Sequence, residues 1–406
     1  MARPDMRRRQ VIAAIGAGAL TGPCRVGAEA PALRTLRAPE AMVQIAGGGP
    51  TALLGVGASG TLYALAPGHG AHPQLGTGID PATPLAVGHG RIAARRLDGA
   101  LWVYEAGRGA VTGERTLAPH AGLLVLPLAV IGIVVDGTRF HVARFEPRGA
   151  GAWGRVARSG IEVLPDARPV QADLDGAGGG GHVVVLAGPD TERYRHAVLG
   201  DAIEATRLVL LERHGLEPMR DLALGAPHVF EDIAPRRVAL GTRDGLLTVR
   251  SGPQGAQLVL ADADPTSAGA LRIAASGPPL GSANRWLSPT TDGTRWLAVH
   301  TPHIGGVLHE YRRDGERLHA TQVLGGVSNH HLGSRQLDLA AWHGQHLAMP
   351  DQSGRRLMLL DGRSGWQRGR EWPLPARVSA TVSLGAAVGI AVLHEDGSVA
   401  VVRPSV

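Results

Sequence analysis

The side chains best suited to chemistry in this 406-residue chain stand in two polar, Gly-flanked segments, 300–306 and 328–335. Imidazole nitrogens ligate transition metals, and an arginine fork matches a carboxylate or a phosphate. The two segments therefore predict a metal or anion site. Its candidate ligand-binding side chains are His303, His330, His331 and Arg335. In the alternative, these side chains cap turns and link neighbouring strands, because no His-x-His or His-x₃-His spacing with a nearby carboxylate accompanies them.

A second candidate is the loop that contains Asp173 and Asp175, followed by Gly176 and an apolar strand. Closely spaced carboxylates with a glycine turn suit a hard cation, so the two aspartates predict a calcium site. The loop resembles the calcium loop that opens a blade in FG-GAP/VCBS repeats. That resemblance implies two further carboxylates, where this chain has Ala177 and Gly181. The alternative is a degenerate turn that keeps its shape without the ion.

The FG-GAP/VCBS resemblance extends over most of the chain in weaker form. In segments 231–240, 291–299 and 341–349 a loop that has lost most of its acidic residues precedes an apolar run. The first loop keeps two adjacent acidic residues, the second keeps one, and the third has none. The His-rich segments resemble parts of exported proteobacterial proteins of the FG-GAP type. The resemblance implies a β-propeller and assigns no activity.

The elements that must position these residues are β-hairpins. Eight segments repeat an apolar run, a Gly-containing turn and a second apolar run, the pattern of a hairpin. They are 51–65, 88–105, 130–145, 178–199, 235–250, 293–312, 343–360 and 388–403. Their spacing of roughly 40 to 60 residues is that of propeller blades. With 58 Gly and 28 Pro in the chain, we predict an all-β fold, a β-propeller of seven or eight four-stranded blades.

Three details of the ring follow from the same pattern. The last hairpin, 388–403, lacks a final strand, and we expect residues 41–46 to supply it and close the ring. Segment 202–214 fits either a helix or an outer strand. Segment 262–289 contains four prolines and is predicted to be a surface loop.

The first 30 residues have the features of an export signal. Arg8 and Arg9 precede two apolar residues as in twin-arginine signals, and the apolar run 11–20 is too short to span a bilayer. Cys24 raises a lipoprotein alternative, but the residues before it depart from the lipobox. We therefore predict a periplasmic or secreted protein exported by the twin-arginine route.

Cleavage after Ala28 or Ala30 removes Cys24, so the mature chain would have no thiol chemistry. The remaining segment, 31–406, shows no break in composition. We predict that it forms a single β-propeller domain and is monomeric, with no membrane span.

The charge distribution argues against nucleic acid as a partner. All 41 basic residues are arginine, and half of the net charge of +6 lies in the first 30 residues. Aromatic residues make up only 3% of the chain, which leaves few platforms for stacking bases.

Motifs of common enzymes are missing from the sequence: it has no Gly-x-Ser-x-Gly, no His-Glu-x-x-His and no P-loop. The seven tryptophans do not recur at one blade position, as they do in quinoprotein propellers. We predict a non-catalytic propeller that binds a protein or small molecule at the mouth of its channel. The alternative is a periplasmic lyase, hydrolase or quinoprotein-like enzyme that uses the His-rich loops at 300–335.

Overall fold

The computed structural model describes residues 33–48, 52–67, 70–149, 152–178, 180–385 and 388–404. Within these residues there are 33 β-strands and one 3₁₀ turn, Gly362–Ser364. Thirty-two of the strands form eight antiparallel four-stranded units, which we call blades 1 to 8. Each of the eight predicted segments falls in a different blade in the described part of the chain. Seven of them contain two paired strands, whereas 178–199 contains only His182–Asp190, because its partner strand Glu204–Leu211 lies beyond the predicted bounds.

Blade 1 contains β2 (Met42–Gly47), β3 (Leu53–Gly57), β4 (Leu62–Leu65) and β5 (Gln74–Gly76), and blade 2 contains β6 (Ala86–Gly88), β7 (Arg91–Arg95), β8 (Leu101–Glu105) and β9 (Arg108–Val111). Blade 3 contains β10 (Leu124–Leu126), β11 (Ala129–Asp136), β12 (Arg139–Arg148) and β13 (Ala152–Glu162), and blade 4 contains β14 (Val170–Ala172), β15 (His182–Asp190), β16 (Glu204–Leu211) and β17 (Pro218–Ala223).

Blade 5 contains β19 (Arg236–Leu240), β20 (Arg243–Ser251), β21 (Gln257–Ala263) and β22 (Leu271–Ser276), and blade 6 contains β23 (Leu287–Thr291), β24 (Trp296–His300), β25 (Val307–Asp314) and β26 (Arg317–Gly325). Blade 7 contains β27 (Ala341–His343), β28 (His346–Pro350), β29 (Arg356–Asp361) and β30 (Gln367–Pro373). Blade 8 contains β31 (Val378–Ser383), β32 (Ile390–His394) and β33 (Val399–Val402), and its fourth strand is β1 (Leu33–Leu36) from the other end of the chain. The short strand β18 (Val229–Phe230) joins β16 of blade 4 to β20 of blade 5.

The blades form a closed ring because their apolar faces pack on each other. One hydrophobic cluster lies between blades 1 and 2, another between blades 2 and 3, and a large one runs from blade 3 to blade 6. Further clusters lie between blades 6 and 7, 7 and 8, and 8 and 1. The first strands of neighbouring blades touch, including β2 with β6 and β31 with β2, so these strands line the centre of the ring.

The ring is closed by Leu33–Leu36, and the expectation that residues 41–46 close it was wrong. Strand β1 pairs antiparallel with β33, so Leu33 lies opposite Val402. Strand β2 (Met42–Gly47) instead opens blade 1. The turn before β33 needs glycine, because Gly397 has a φ of 79° and a Cβ there would lie 2.7 Å from the Cβ of Ala41.

Two further expectations are resolved by the strand pairing. Segment 202–214 holds the strand β16, because its apolar residues pair with those of β15 on one side and β17 on the other. Segment 262–289 is only partly a loop, since β22 pairs with β21 inside it. Prolines flank β22 and do not interrupt it, so they left the strand free to form.

The predicted export signal, with Arg8, Arg9 and Cys24, lies outside the described residues. In the part of the chain that the structure describes, no helix has the length and apolar character to cross a bilayer.

Candidate functional site

A cavity of about 540 Å³ lies at the centre of the ring, between the first strands of the blades. Its walls combine apolar strand residues with a few polar side chains. The polar ones include Gln44, Arg168, Arg236, Gln336 and Asp338, and Trp342 also lines the cavity. We call it the channel cavity.

One long connection, residues 328–338 between blades 6 and 7, lies over the channel mouth, and we call it the strap. Arg335 of the strap donates from Nε to Asp166 Oδ2 at 2.7 Å and from Nη2 to Asp201 Oδ2 at 2.5 Å. The amide of Gly333 donates to the carbonyl of Val198 at 3.0 Å. Since these partners belong to the entry to blade 4 and to its β15–β16 loop, the contacts reach past blades 5 and 6. The strap therefore crosses the mouth and does not follow the ring.

Two of the predicted ligand-binding residues, His303 and His330, form a hydrogen-bonded pair. His330 Nε2 lies 2.8 Å from the carbonyl of Ser334, so it must carry a proton, and Nδ1 is left as an acceptor. His303 Nε2, 3.0 Å from His330 Nδ1, is then the donor. Trp286 packs against both rings, with ring-centroid distances of 6.1 Å to His303 and 4.8 Å to His330. Burial lowers the pKa of His303 to about 4 and that of His330 to about 3.

His331 lies beside this pair, and the three histidines line a second cavity of about 180 Å³. The Nε2 of His331 donates to the carbonyl of Val378 at 2.7 Å. Its Nδ1 accepts from Nη2 of Arg377 at 3.0 Å. Arg335 is not part of this group, because its guanidinium is held by Asp166 and Asp201. The sequence placed four residues in one site, and the structure brings three of them together.

A buried acidic cluster, which the sequence analysis missed, lies next to the histidine pair. Its centre is the fully buried Glu231, whose Oε1 accepts from His196 Nδ1 at 2.5 Å. The hydroxyl of Ser251 donates to the other oxygen. The indole of Trp286 donates to the Glu231 carbonyl at 3.1 Å and connects the cluster to His303 and His330.

The pair His196–Glu231 has the orientation of an acid–base dyad. The carboxylate fixes the proton on Nδ1, and Nε2 of His196 has no hydrogen-bond partner among the described residues. A histidine held in this way can accept a proton at Nε2. Ser251 bonds to Glu231 and not to His196, so it is not placed to be activated as a nucleophile.

Glu204 contributes a neutral acid to the same cluster. Its side chain is 3% exposed, and it has no hydrogen-bond partner in the described parts of the chain. Burial and the nearby charge of Glu231 raise the pKa of Glu204 and favour its protonated form. Burial also raises the pKa of Asp166, against the opposing effect of Arg335.

Sequence reasoning had no means of finding this cluster. His196, Glu204 and Glu231 come from one long loop, the first position of β16 and the entry to blade 5. The adjacent acids Glu231 and Asp232 were visible only as remnants of a worn loop. No spacing rule relates three such segments, because the ring brings them together.

Asp173 and Asp175, the predicted calcium ligands, both have partners within the protein. The Asp173 carboxylate accepts from the amides of Ala177 at 3.2 Å and Gly178 at 2.8 Å. Asp175 forms an ion pair with Arg220 at 2.9 Å. Over the residues described here, no group of three or more His, Cys, Asp or Glu side chains is arranged to hold a metal ion. Calcium binding at this loop stays a prediction.

The histidine pair predicts that the protein loses stability in mild acid. Because the pKa values of His303 and His330 are lowered, the folded state binds fewer protons than the unfolded state between about pH 6.5 and 4. Stability is fully present above pH 6.5 and falls below it. We expect His330→Gln, which can still accept from His303 and donate to Ser334, to recover about 1–2 kcal/mol near pH 5. Urea unfolding from pH 7 to pH 5 measures this, and parallel pH profiles for both proteins would contradict it.

Comparison with known proteins supports the β-propeller architecture and assigns no function. No family model matches the chain, and no curated protein does. Among solved structures, BamB from Moraxella catarrhalis is 15% identical, with a TM-score of 0.54, over 89% of this chain and 94% of that chain. Sqt1 from Saccharomyces cerevisiae is 9% identical, with a TM-score of 0.59, over 92% of this chain and 100% of that chain. Identities this low show the fold alone: the chain folds as a β-propeller.

Proposed function

We propose that this protein is an exported, non-catalytic β-propeller that binds a small molecule in its channel cavity. The observation that carries the proposal is the cavity itself. Its volume of about 540 Å³ lies within the range of ligand-binding cavities. Apolar strand residues with a few fixed polar groups are the usual lining of such sites.

The arrangement of the strap favours a small molecule over a protein as the ligand. Arg335 holds the strap across the channel mouth, and Gln336 and Asp338 of the strap form part of the cavity wall. A ligand that fits below the strap is covered by it on that side, whereas a protein surface would meet the strap from outside. The alternative within the binding proposal is that the ligand is a protein, which would bind at the channel mouth.

The repeats and the leader complete the proposal. The loops that precede the apolar runs keep few acidic residues, as expected of an FG-GAP/VCBS-type propeller that has lost most of its calcium ligands. The twin-arginine-like leader would take the folded protein to the periplasm or out of the cell.

An enzymatic function is the second candidate, and it takes its support from His196 and Glu231. His303 and His330 are less suited to catalysis, because the nitrogens that face each other are already hydrogen bonded. A reaction at this place would use Nε2 of His196 as the base. Turnover that disappears in His196→Asn would establish this function in place of the binding one.

The binding proposal predicts that filling the channel cavity abolishes ligand binding. Gln336 lines the cavity and is half-buried, and its side chain makes no hydrogen bond to the described residues. We expect Gln336→Trp to fold and to lose any thermal stabilisation that a small molecule gives to the unmodified protein. The measurement is a thermal-shift screen with amino acids, sugars, amines, carboxylates and phosphates.

Ile304→Trp is the matched control, because Ile304 is exposed and does not line the channel cavity. It should respond to the ligand as the unmodified protein does. A ligand that stabilises Gln336→Trp equally well would place the site elsewhere, and a screen without a single stabilising compound would remove the proposal.

A further inference from the structure

Arg168 is a cation in the channel wall that has no carboxylate in direct contact among the described residues. Burial lowers its pKa, and Asp338, Asp166 and Asp232 act on it from farther away to raise it. Arg168 lies in the connection between blades 3 and 4 and lines the cavity. One amino group of its guanidinium donates to the carbonyl of Arg335 in the strap. Its Nε is buried and has no hydrogen-bond partner, and within the described residues no carboxylate lies at ion-pair distance from it. An unpaired buried donor on a charged group is costly to leave in this state.

Arg236, on the same wall, shows how the chain satisfies a guanidinium when it needs no ligand. It forms an ion pair with the fully buried Asp232 and donates to the carbonyl of Ala234 at 2.6 Å. Arg236 is therefore paired directly with a carboxylate, whereas the carboxylates that favour the charge of Arg168 act on it only at longer range. The difference marks Arg168 as the cation in the cavity wall that could still take an anion in direct contact.

The rest of the lining fits an anion with an organic body. Threonine and glutamine side chains such as Thr290 and Gln336 add uncharged polar groups, while Asp338 is the one carboxylate among the residues that line the described cavity. Leu85, Leu337 and Val382 supply apolar wall. A bare inorganic ion would fill only a small part of about 540 Å³, so the remaining volume suits a carbon skeleton.

We infer that the channel cavity binds a small organic oxyanion, a carboxylate or phosphate ester, through the guanidinium of Arg168. The inference rests on the proposed function, because it names the ligand class for the same cavity. An arginine fork pairs with either oxyanion through charge-assisted hydrogen bonds. The bound oxyanion would lie against the part of the Arg168 guanidinium that lines the cavity, below the strap.

The test uses succinate and glycerol 3-phosphate as organic probes, with inorganic phosphate, glucose and choline chloride as comparisons. At constant ionic strength, we expect at least one organic oxyanion to raise the melting temperature of the mature protein, while glucose and choline have no effect. Titration calorimetry should show binding that weakens by about tenfold or more in Arg168→Gln. Arg237→Gln, at an exposed position of the same strand as Arg236, should bind as the unmodified protein does.

Asp338→Asn keeps the inference testable should Arg168→Gln fail to fold. Asp338 is exposed and its carboxylate makes no ion pair with the residues described, so the substitution should leave the fold intact. Removing its negative charge should tighten binding of an oxyanion several-fold, because Asp338 then neither competes for Arg168 nor repels the ligand. Unchanged or weaker binding in Asp338→Asn would overturn the inference.

The outcomes separate the inference from the proposed function. If glucose or choline binds in the channel and neither oxyanion does, the ligand class is wrong and the binding function stands. If both oxyanions bind equally well to Arg168→Gln, Arg168 is not the anchor. If no compound binds, both proposals fall.

Discussion

We expect deletion of Leu33–Leu36 to prevent this protein from forming a stable ring. Strand β1 supplies the fourth strand of blade 8 through its pairing with β33. Its loss would free the ladder groups of β33 and uncover part of the packing around Val402, beside which Leu33 lies. Lost backbone hydrogen bonds and apolar burial together should cost about 3–6 kcal/mol, a large share of the stability of a typical protein.

The measurement compares a chain without residues 2–36 with a chain without residues 2–30, by size-exclusion chromatography and thermal unfolding. The shorter deletion keeps β1 and should give a folded monomer. The longer one should aggregate or unfold at a much lower temperature, because β33 becomes an unprotected edge. Equal melting temperatures would mean that residues other than Leu33–Leu36 close the ring.

The second large effect is expected at the anchor of the strap, in Arg335→Ala. Asp166 is almost fully buried, and its carboxylate would lose its charged partner. Removing one member of a buried ion pair is more harmful than removing both. We expect a loss of about 2–4 kcal/mol in the free energy of unfolding at neutral pH.

The loss should grow as pH rises. Burial raises the pKa of Asp166 even when Arg335 is present, and without Arg335 the neutral acid would persist to higher pH. The variant protein can therefore relieve the unpaired charge by protonation in acid, but not in base. Urea unfolding at about pH 5.5 and pH 8 should show the larger loss at pH 8.

Two further variants control this prediction. In Asp166→Asn/Arg335→Ala the orphaned carboxylate is gone, so part of the stability should return. Arg312→Ala removes an exposed arginine whose ion pair with Glu310 lies at the surface, and it should be indistinguishable from the unmodified protein. A loss in Arg335→Ala that is small, independent of pH and unaffected by Asp166→Asn would show that the anchor contributes little.

The candidate site was only partly predictable because hydrogen bonding, and not residue type, decided its members. His303 and His330 come from separate connections, 27 residues apart, and the structure joins them at 3.0 Å. Arg335 belongs to the same His-rich segment, yet its side chain turns to Asp166, 169 residues earlier. A polar, His-rich interruption of the repeat indicated the place, and the partners of each side chain were set by the loops that the ring brings beside it.

Local pattern alone determined that this chain forms short paired strands in about eight repeated units, because hairpin signals are contained within some 20 residues. It did not determine how the ring closes, because β1 and β33 stand at opposite ends of the sequence. Residues 33–36 and residues 41–46 both have a strand-like composition, so the pattern did not show which of them pairs with β33. Nor could it show the channel cavity, in which Arg168 has no carboxylate in direct contact while Arg236 has Asp232. Such properties depend on which side chains meet after eight blades have packed, and only the tertiary structure decides that.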